Sequence, residues 1–278
     1  MSLHKPRMGR IEYLNVLPIY HALETGRIPH GYELVYGPPS VLNAMMEREE
    51  LAVASTSSIE YARRPDKYWI LPDLAIGSCG KVLSVLLISR CPVEELDGKT
   101  VLVSTATHTS KALLKILLKE LFHISANFVT GNATEQMGKT DAPEAMLVIG
   151  DEALRSRNHP IYCHMMDLGE EWLRWTGLPF TFGLWVVSRD AVNSQNLAED
   201  PAKILHAGRD WSFANMGTVL DVAEQRYPFS RDALAEYFTC LLYKLGPIEQ
   251  QGLRLFYEHL ALAGEISTAP DLAFWHST

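Results

Sequence analysis

Cysteine is scarce and unpatterned in this chain: Cys79, Cys91, Cys163 and Cys240 show no Cys-x-x-Cys spacing. That excludes the usual sequence signatures of structural zinc and of a redox dithiol, and the four are read as structural thiols. The ten histidines do not cluster. His159 and His164 flank Pro160 at a poor metal-binding spacing, His206 and His259 read as helix-surface residues, and no metal site is predicted. Phosphate loops of the Gly-x-x-x-x-Gly-Lys-Ser/Thr type, Gly-x-Gly-x-x-Gly turns and Gly-x-Ser-x-Gly elbows are missing, which weakens nucleotide, dinucleotide and serine-hydrolase readings. No apolar run approaches the roughly 18 to 20 residues that span a bilayer, and the longest, Val82 to Ile88, is strand length. Positive charge is also short, with 25 Lys and Arg against 33 Asp and Glu and a net charge of -8. With a pI near 5.7, neither nucleic acid nor an anionic membrane is expected as a partner. The segment Met1 to Arg10 is polar, without an apolar signal core or small-residue cleavage site, so the expected location is cytoplasmic.

What is present is an ordinary globular composition: 278 residues, 47% hydrophobic and 21% charged, enough for one large core or two smaller ones. Strand-length apolar runs (Ile11 to Leu14, Val82 to Ile88, Val101 to Val103, Ala145 to Ile149, Leu184 to Val187) alternate with helix-period runs such as Val41 to Arg48 and Lys111 to Phe122. This predicts an α/β protein with largely parallel sheets, turning mostly helical after about Ala191. The polar segment Cys91 to Thr100, opening with Pro92 and closing on Asp97-Gly98-Lys99, reads as a crossing between two lobes.

Several polar residues stand where strands meet helices. Asn15 closes the run Ile11 to Leu14, and a turn role and a ligand role are both open to it. Ser84 sits inside an otherwise apolar strand and needs a partner, whether backbone, water or ligand. Thr109 or Ser110 is placed to cap the helix Lys111 to Phe122, and Ser40 follows Pro38-Pro39 at a second helix start. Such starts either carry a plain cap or offer unpaired N–H groups to a carboxylate. Gly150-Asp151 follows the strand Ala145 to Ile149, where a ligand could reach it or where Asp151 could cap the next helix. The runs Ser78-Cys79-Gly80-Lys81, Asp167-Leu168-Gly169-Glu170-Glu171-Trp172 and Thr176-Gly177-Leu178-Pro179-Phe180 put glycines and small polar residues beside buried strand, where backbone can approach a small molecule closely.

Taken in order, Gly9-Arg10-Ile11-Glu12-Tyr13-Leu14-Asn15 with Pro18, Pro39-Ser40, Ile59-Glu60-Tyr61, Gly80 with Val82, Ser84 and Val85, Thr109-Ser110, Ile149 to Leu154, Asp167 to Trp172 and Thr176 to Phe180 form a specific set over roughly residues 9 to 190. The set resembles the chorismate dehydratases of the futalosine route to menaquinone. The resemblance implies a two-lobed, type-2 periplasmic-binding-protein-like fold with a ligand cleft between lobes. On that resemblance lobe one would be 1–90 plus 189–278 and lobe two 91–188. It implies a carbon-oxygen lyase that removes water from chorismate to give 3-[(1-carboxyvinyl)oxy]benzoate, with no cofactor, because aromatisation of the ring drives the reaction. Asn15 and Ser84 are the implied catalytic residues, with Ser40, Thr109, Ser110, Gly150 and Asp151 as substrate contacts, Lys81 as a spare cation, and either Asp151 or the substrate's own enolpyruvyl carboxylate as the base.

The chain departs from the family pattern at Ser104 and Thr107-His108, where an Asp and a Ser-Arg are usual, and near Ala52 and Ser57, where an Asp and a Pro are usual. The alternatives are the sibling that forms 1,4-dihydroxy-6-naphthoate, which typically carries a His where Gly150-Asp151 stands, and a non-catalytic binding protein for a small carboxylate.

Overall fold

The computed structural model describes residues 5–276 except 106, 140, 196 and 198, so residues 1–4 of the polar N-terminal segment lie outside the described residues. The chain begins β1 (Arg7–Ile11), α1 (Leu17–Glu24), β2 (Glu33–Gly37), α2 (Pro39–Glu47), β3 (Val53–Ser57), α3 (Ser58–Arg63) and β4 (Tyr68–Ser78). It continues with β5 (Val85–Ser89), β6 (Thr100–Val103), α4 (His108–Ile116), β7 (Asn127–Thr130), α5 (Ala133–Gln136), β8 (Ala145–Ile149), α6 (Gly150–Ser156), β9 (His164–Asp167), α7 (Leu168–Thr176) and β10 (Phe180–Ser188). The remainder is α8 (Arg189–Gln195), α9 (Pro201–Ala214), α10 (Met216–Arg226), α11 (Arg231–Cys240), the short β11 (Leu241–Leu242) and α12 (Pro247–Leu262).

Two compact units result: Met1–Ile76, Gly183–Gly246 and Pro270–Thr278 form one, Gly77–Phe182 and Pro247–Ala269 the other. The first holds a sheet in the order β11-β4-β10-β3-β1-β2, the second a sheet in the order β7-β6-β8-β5-β9. The divisions fall inside or beside the long strands β4 and β10 and not at residues 90 and 188. The physical reason is pairing: β5 lies between β8 and β9 in the second sheet, so the crossing precedes it and the segment Cys91 to Thr100 is internal to that unit. α12 also joins the second unit, because Trp172 of α7 packs edge-on against Phe256 of α12 at 6.1 Å and against Phe180 at 5.3 Å.

Neither sheet is purely parallel. In the first unit β1 runs parallel to β2 and β3, while β10 runs against β3. In the second β6 runs parallel to β7 and β8, while β5 runs against both β8 and β9. The predicted continuous apolar runs therefore mark strands buried on both faces, not strands of one direction; β5 and β8 are apolar along most of their length. The predicted helix Lys111 to Phe122 begins earlier, at His108, and gives way after Ile116 to a π-helical turn over Leu117–Leu121.

Two helix contacts are set by glycine. A Cβ on Gly208 of α9 would lie 2.4 Å from the carbonyl oxygen of Ile19 in α1, and one on Gly252 of α12 would lie 2.1 Å from that of Pro179. Both neighbours are backbone and have no rotamer to yield. Alanine in place of glycine gains about 1 kcal/mol of helix propensity, but overpacking costs about 1–3 kcal/mol. Gly208→Ala and Gly252→Ala are each expected to shift the urea midpoint downward, and an unchanged or raised midpoint would contradict this packing.

Candidate active site

In the first unit the parallel strands β1, β2 and β3 bring their carboxyl ends to one sheet edge. The β1–β2 ladder ends at the pair Ile11 and Gly37, because the chain beyond Gly37 is Pro38-Pro39 and proline has no N–H to give. Of the predicted strand Ile11 to Leu14 only Ile11 is in a strand, because β1 lies earlier, at Arg7–Ile11, and Asn15 lies in a single 3-10 turn, Leu14–Val16, which leads into α1. Its Oδ1 is buried and has no hydrogen-bond partner among the described residues. Ser40 lies at the same edge in the first turn of α2, whose N-cap position is Pro38 and carries no side-chain cap. A third member was not anticipated: the buried Thr56, near the end of β3, donates its hydroxyl to Asn43 Oδ1 of α2 at 3.2 Å.

The segment carrying Asn15 is framed by buried polar contacts. Arg10 of β1, 4% exposed, donates from Nε to Glu24 Oε1 of α1 at 2.7 Å and from its guanidinium to the carbonyl of Ile11 at 2.8 Å. Tyr20 donates its hydroxyl to the carbonyl of Gly9 at 3.0 Å and accepts from Trp185 Nε1 at 2.9 Å. Burial pushes the Tyr20 hydroxyl far above its usual range, so it stays a donor.

In the second unit the carboxyl ends of β6, β7, β8 and β9 share an edge, and antiparallel β5 begins there, with Val85 opposite Ile149. Ser84 thus stands immediately before β5 and not inside a strand. The reason is that the N–H groups of Val82 and Leu83 are taken by the carboxylate of Asp167, and Leu83 adopts a left-handed φ of 61°. Gly150 donates its N–H to the carbonyl of Ser84 at 2.7 Å. Gly150 itself has φ 58° and opens α6, with Asp151 in the first turn. The Asp151 side chain does not cap that helix. Burial raises the Asp151 pKa above the ordinary carboxylate value, with Arg155 opposing the shift.

Thr109 and Ser110 also reach this edge, as buried residues inside the first turn of α4 and not as its cap. The cap position is Thr107, which donates its hydroxyl to Ser104 O at 2.8 Å instead of capping the helix. His108 is the first, exposed residue of α4. Lys81 is mostly exposed and lies 3.9 Å from Glu170.

Asn15 and Ser40 thus share one edge of the first unit, and Ser84, Thr109, Ser110, Gly150 and Asp151 one edge of the second. Two expectations about histidine are corrected. His206 bonds the carbonyl of Pro72 through Nε2 at 2.9 Å, and His259 is half-buried between Glu120 and the ring of Trp175, 4.8 Å away, so neither is a plain surface residue. Among the described residues no group of three His, Cys, Asp or Glu side chains is arranged to hold a metal. A cavity of about 490 Å³ lies along the later half of α4, lined by Lys115, Lys119, Phe128 and Glu265 among others, and contains none of the candidate residues. No described helix is long and apolar enough to cross a membrane.

Comparison with known proteins bears on the chain as a whole. A menaquinone-biosynthesis family matches residues 6–262. A chorismate dehydratase of Thermus thermophilus is 27% identical over 273 residues, covering 92% of this chain and 95% of that protein. One from Campylobacter jejuni is 34% identical over 200 residues, covering 69% and 73%. A 1,4-dihydroxy-6-naphthoate synthase of Streptomyces coelicolor is 27% identical over 235 residues, 77% of each chain. Among solved structures, an Archaeoglobus fulgidus protein superposes with a TM-score of 0.75 at 19% identity, covering 96% of this chain and all of the other. A Candida albicans protein described as having the generic periplasmic binding protein fold gives 0.69 at 12% identity, covering 97% and 93%. These structural likenesses establish a periplasmic-binding-protein-like fold, and the match across nearly the whole chain places the protein in the menaquinone-biosynthesis family that includes the chorismate dehydratases.

Proposed function

We propose that this protein is a hydro-lyase that converts chorismate to 3-[(1-carboxyvinyl)oxy]benzoate and water. The observation that supports the reading most is the resemblance to a chorismate dehydratase across 92% of the chain. The reaction removes the hydrogen on the ring carbon that bears the enolpyruvyl ether and the hydroxyl on the neighbouring ring carbon. The C–H electron pair becomes ring π density, the C–O bond breaks, and proton and hydroxide leave as water. No electron acceptor is required, and aromatisation supplies the driving force.

The groups needed are therefore a means of holding two carboxylates, a base, and donors for the leaving hydroxyl. In this reading Asn15, with an amide that both donates and accepts, orients the substrate's hydroxyl and carboxylate, and Ser84 assists the leaving hydroxyl. The enolpyruvyl carboxylate of the substrate itself takes the proton. Cations are few: Arg10 is committed to Glu24, and Lys81 lies beside Glu170. Anion binding falls instead to hydroxyls and N–H groups at the starts of α2 and α4, through Ser40, Thr109 and Ser110, with the Gly150-Asp151 turn as a further contact. The cytoplasm is the expected compartment for such an enzyme.

Asn15→Ala is expected to lower kcat/KM for chorismate by about 10² or more, the size of effect seen for single preorganised donors. Asn15→Asp, which keeps the shape but places negative charge near an anionic substrate, is expected to be at least as poor, both variants remaining folded by circular dichroism. Near wild-type turnover of Asn15→Ala would return the residue to a structural role. Because the proposed step uses the substrate's own carboxylate as base and aromatisation as driving force, exhaustive chelation is expected to leave turnover unchanged. Activity lost to a chelator and restored by added metal would contradict the mechanism.

A further inference from the structure

Asp167, the last residue of β9, has a nearly buried carboxylate to which the proposed reaction assigns no part. Oδ1 accepts from the N–H of Gly169 at 3.0 Å and of Glu170 at 3.2 Å, capping α7. Oδ2 accepts from the N–H of Leu83 at 2.8 Å, and the N–H of Val82 lies 3.0 Å and 3.1 Å from the two oxygens. One side chain thus ties the start of a helix to the loop that ends in Ser84. The approach is close on both sides: a Cβ on Gly169 would lie 2.4 Å from Ser78 Oγ and 2.7 Å from the carbonyl of Gly80.

That loop needs holding. Leu83 sits at φ 61°, a left-handed conformation that costs a branched residue strain and persists only where the surroundings enforce it. Directly after it come Ser84 and, through the 2.7 Å bond from Gly150 N to Ser84 O, the start of α6. Helix capping alone would use only the two α7 contacts; the two loop contacts lie beyond what a cap requires.

We propose that Asp167 is a positioning residue whose carboxylate locks Leu83 in its left-handed conformation and so fixes Ser84 and the Gly150-Asp151 turn for the reaction. Its catalytic consequence rests on the chorismate-dehydratase reading, but the lock itself does not. Burial raises the Asp167 pKa, with the four N–H groups opposing, so the locking carboxylate is held against a desolvation cost.

Two variants separate the lock from the cap. In Asp167→Asn, an amide oxygen that keeps the α7 contacts turns an NH₂ group toward the donors of Val82 and Leu83. In Asp167→Ser, a good capping hydroxyl is too short to reach the loop. Amide hydrogen exchange of both variants, compared with wild type, is the first readout. Exchange at Val82 and Leu83 is expected to quicken by about tenfold or more in Asp167→Ser while Gly169 and Glu170 stay protected, with Asp167→Asn also quickening the loop. With chorismate, kcat is expected to fall by about tenfold or more and KM to change less. Loop amides that exchange as in wild type in both variants would overturn the lock. A loosened loop with wild-type kcat would overturn the positioning role. A wild-type protein that leaves chorismate untouched would count against the proposed function alone, since the exchange experiment needs no substrate.

Discussion

The hydrogen bond from Gly150 N to Ser84 O, 2.7 Å long, anchors the chemistry-bearing edge of the second unit. It exists because β5 runs against β8, so that the strand beginning after Ser84 starts where β8 finishes. Were β5 parallel, as the apolar runs alone suggest, Ser84 would sit at the far edge of the sheet from Gly150, Asp151 and the start of α4. One reversed strand therefore gathers a hydroxyl, a left-handed glycine turn and helix starts at one edge. The carboxylate of Asp167 then fills the other backbone donors of the reversed segment, which no strand partner could reach.

The first unit meets the same need with charge. Burying Arg10 and Glu24 together exacts desolvation of both ions, offset by a 2.7 Å bond and by the carbonyl of Ile11. Removing Glu24 would strand the buried Arg10 charge, typically a loss of about 3–5 kcal/mol, whereas Glu24 would keep Arg226 at 3.9 Å. Such a pair makes a firm frame on either side of Asn15, since Arg10 precedes it on β1 and Glu24 follows it on α1. Within that frame the Oδ1 of Asn15, without a partner among the described residues, is a buried acceptor whose cost the fold bears.

Much of this was legible in the sequence where apolar density was high. The run Ala145 to Ile149 is β8 to the residue, and Gly150-Asp151 follows it as expected. Legibility failed where polar groups satisfied backbone. β3 reads Val-Ala-Ser-Thr-Ser and gave no strand signal, although it is buried between β1 and β10, so Thr56 and its partner Asn43 went unseen. The run Val82 to Ile88 looked like one strand because nothing in its composition reveals that Asp167, more than eighty residues later, captures its first two N–H groups. The sequence holds a local trace that went unread: Asp167 with Glu170 three residues on is a helix-start pattern, and it points to the cap but not to the clamp. The lobe boundary moved for the same reason, since strand pairing and not linker polarity decides where β5 belongs.

The most direct measurement is the fate of chorismate itself. Purified protein incubated with chorismate in chelator-treated buffer, followed by mass spectrometry and ultraviolet absorption, is expected to yield a product lighter by one water, with an aromatic ring and the enolpyruvyl ether intact. Unchanged chorismate under conditions where the protein is folded, or a product that has lost its enolpyruvyl group, would contradict the account.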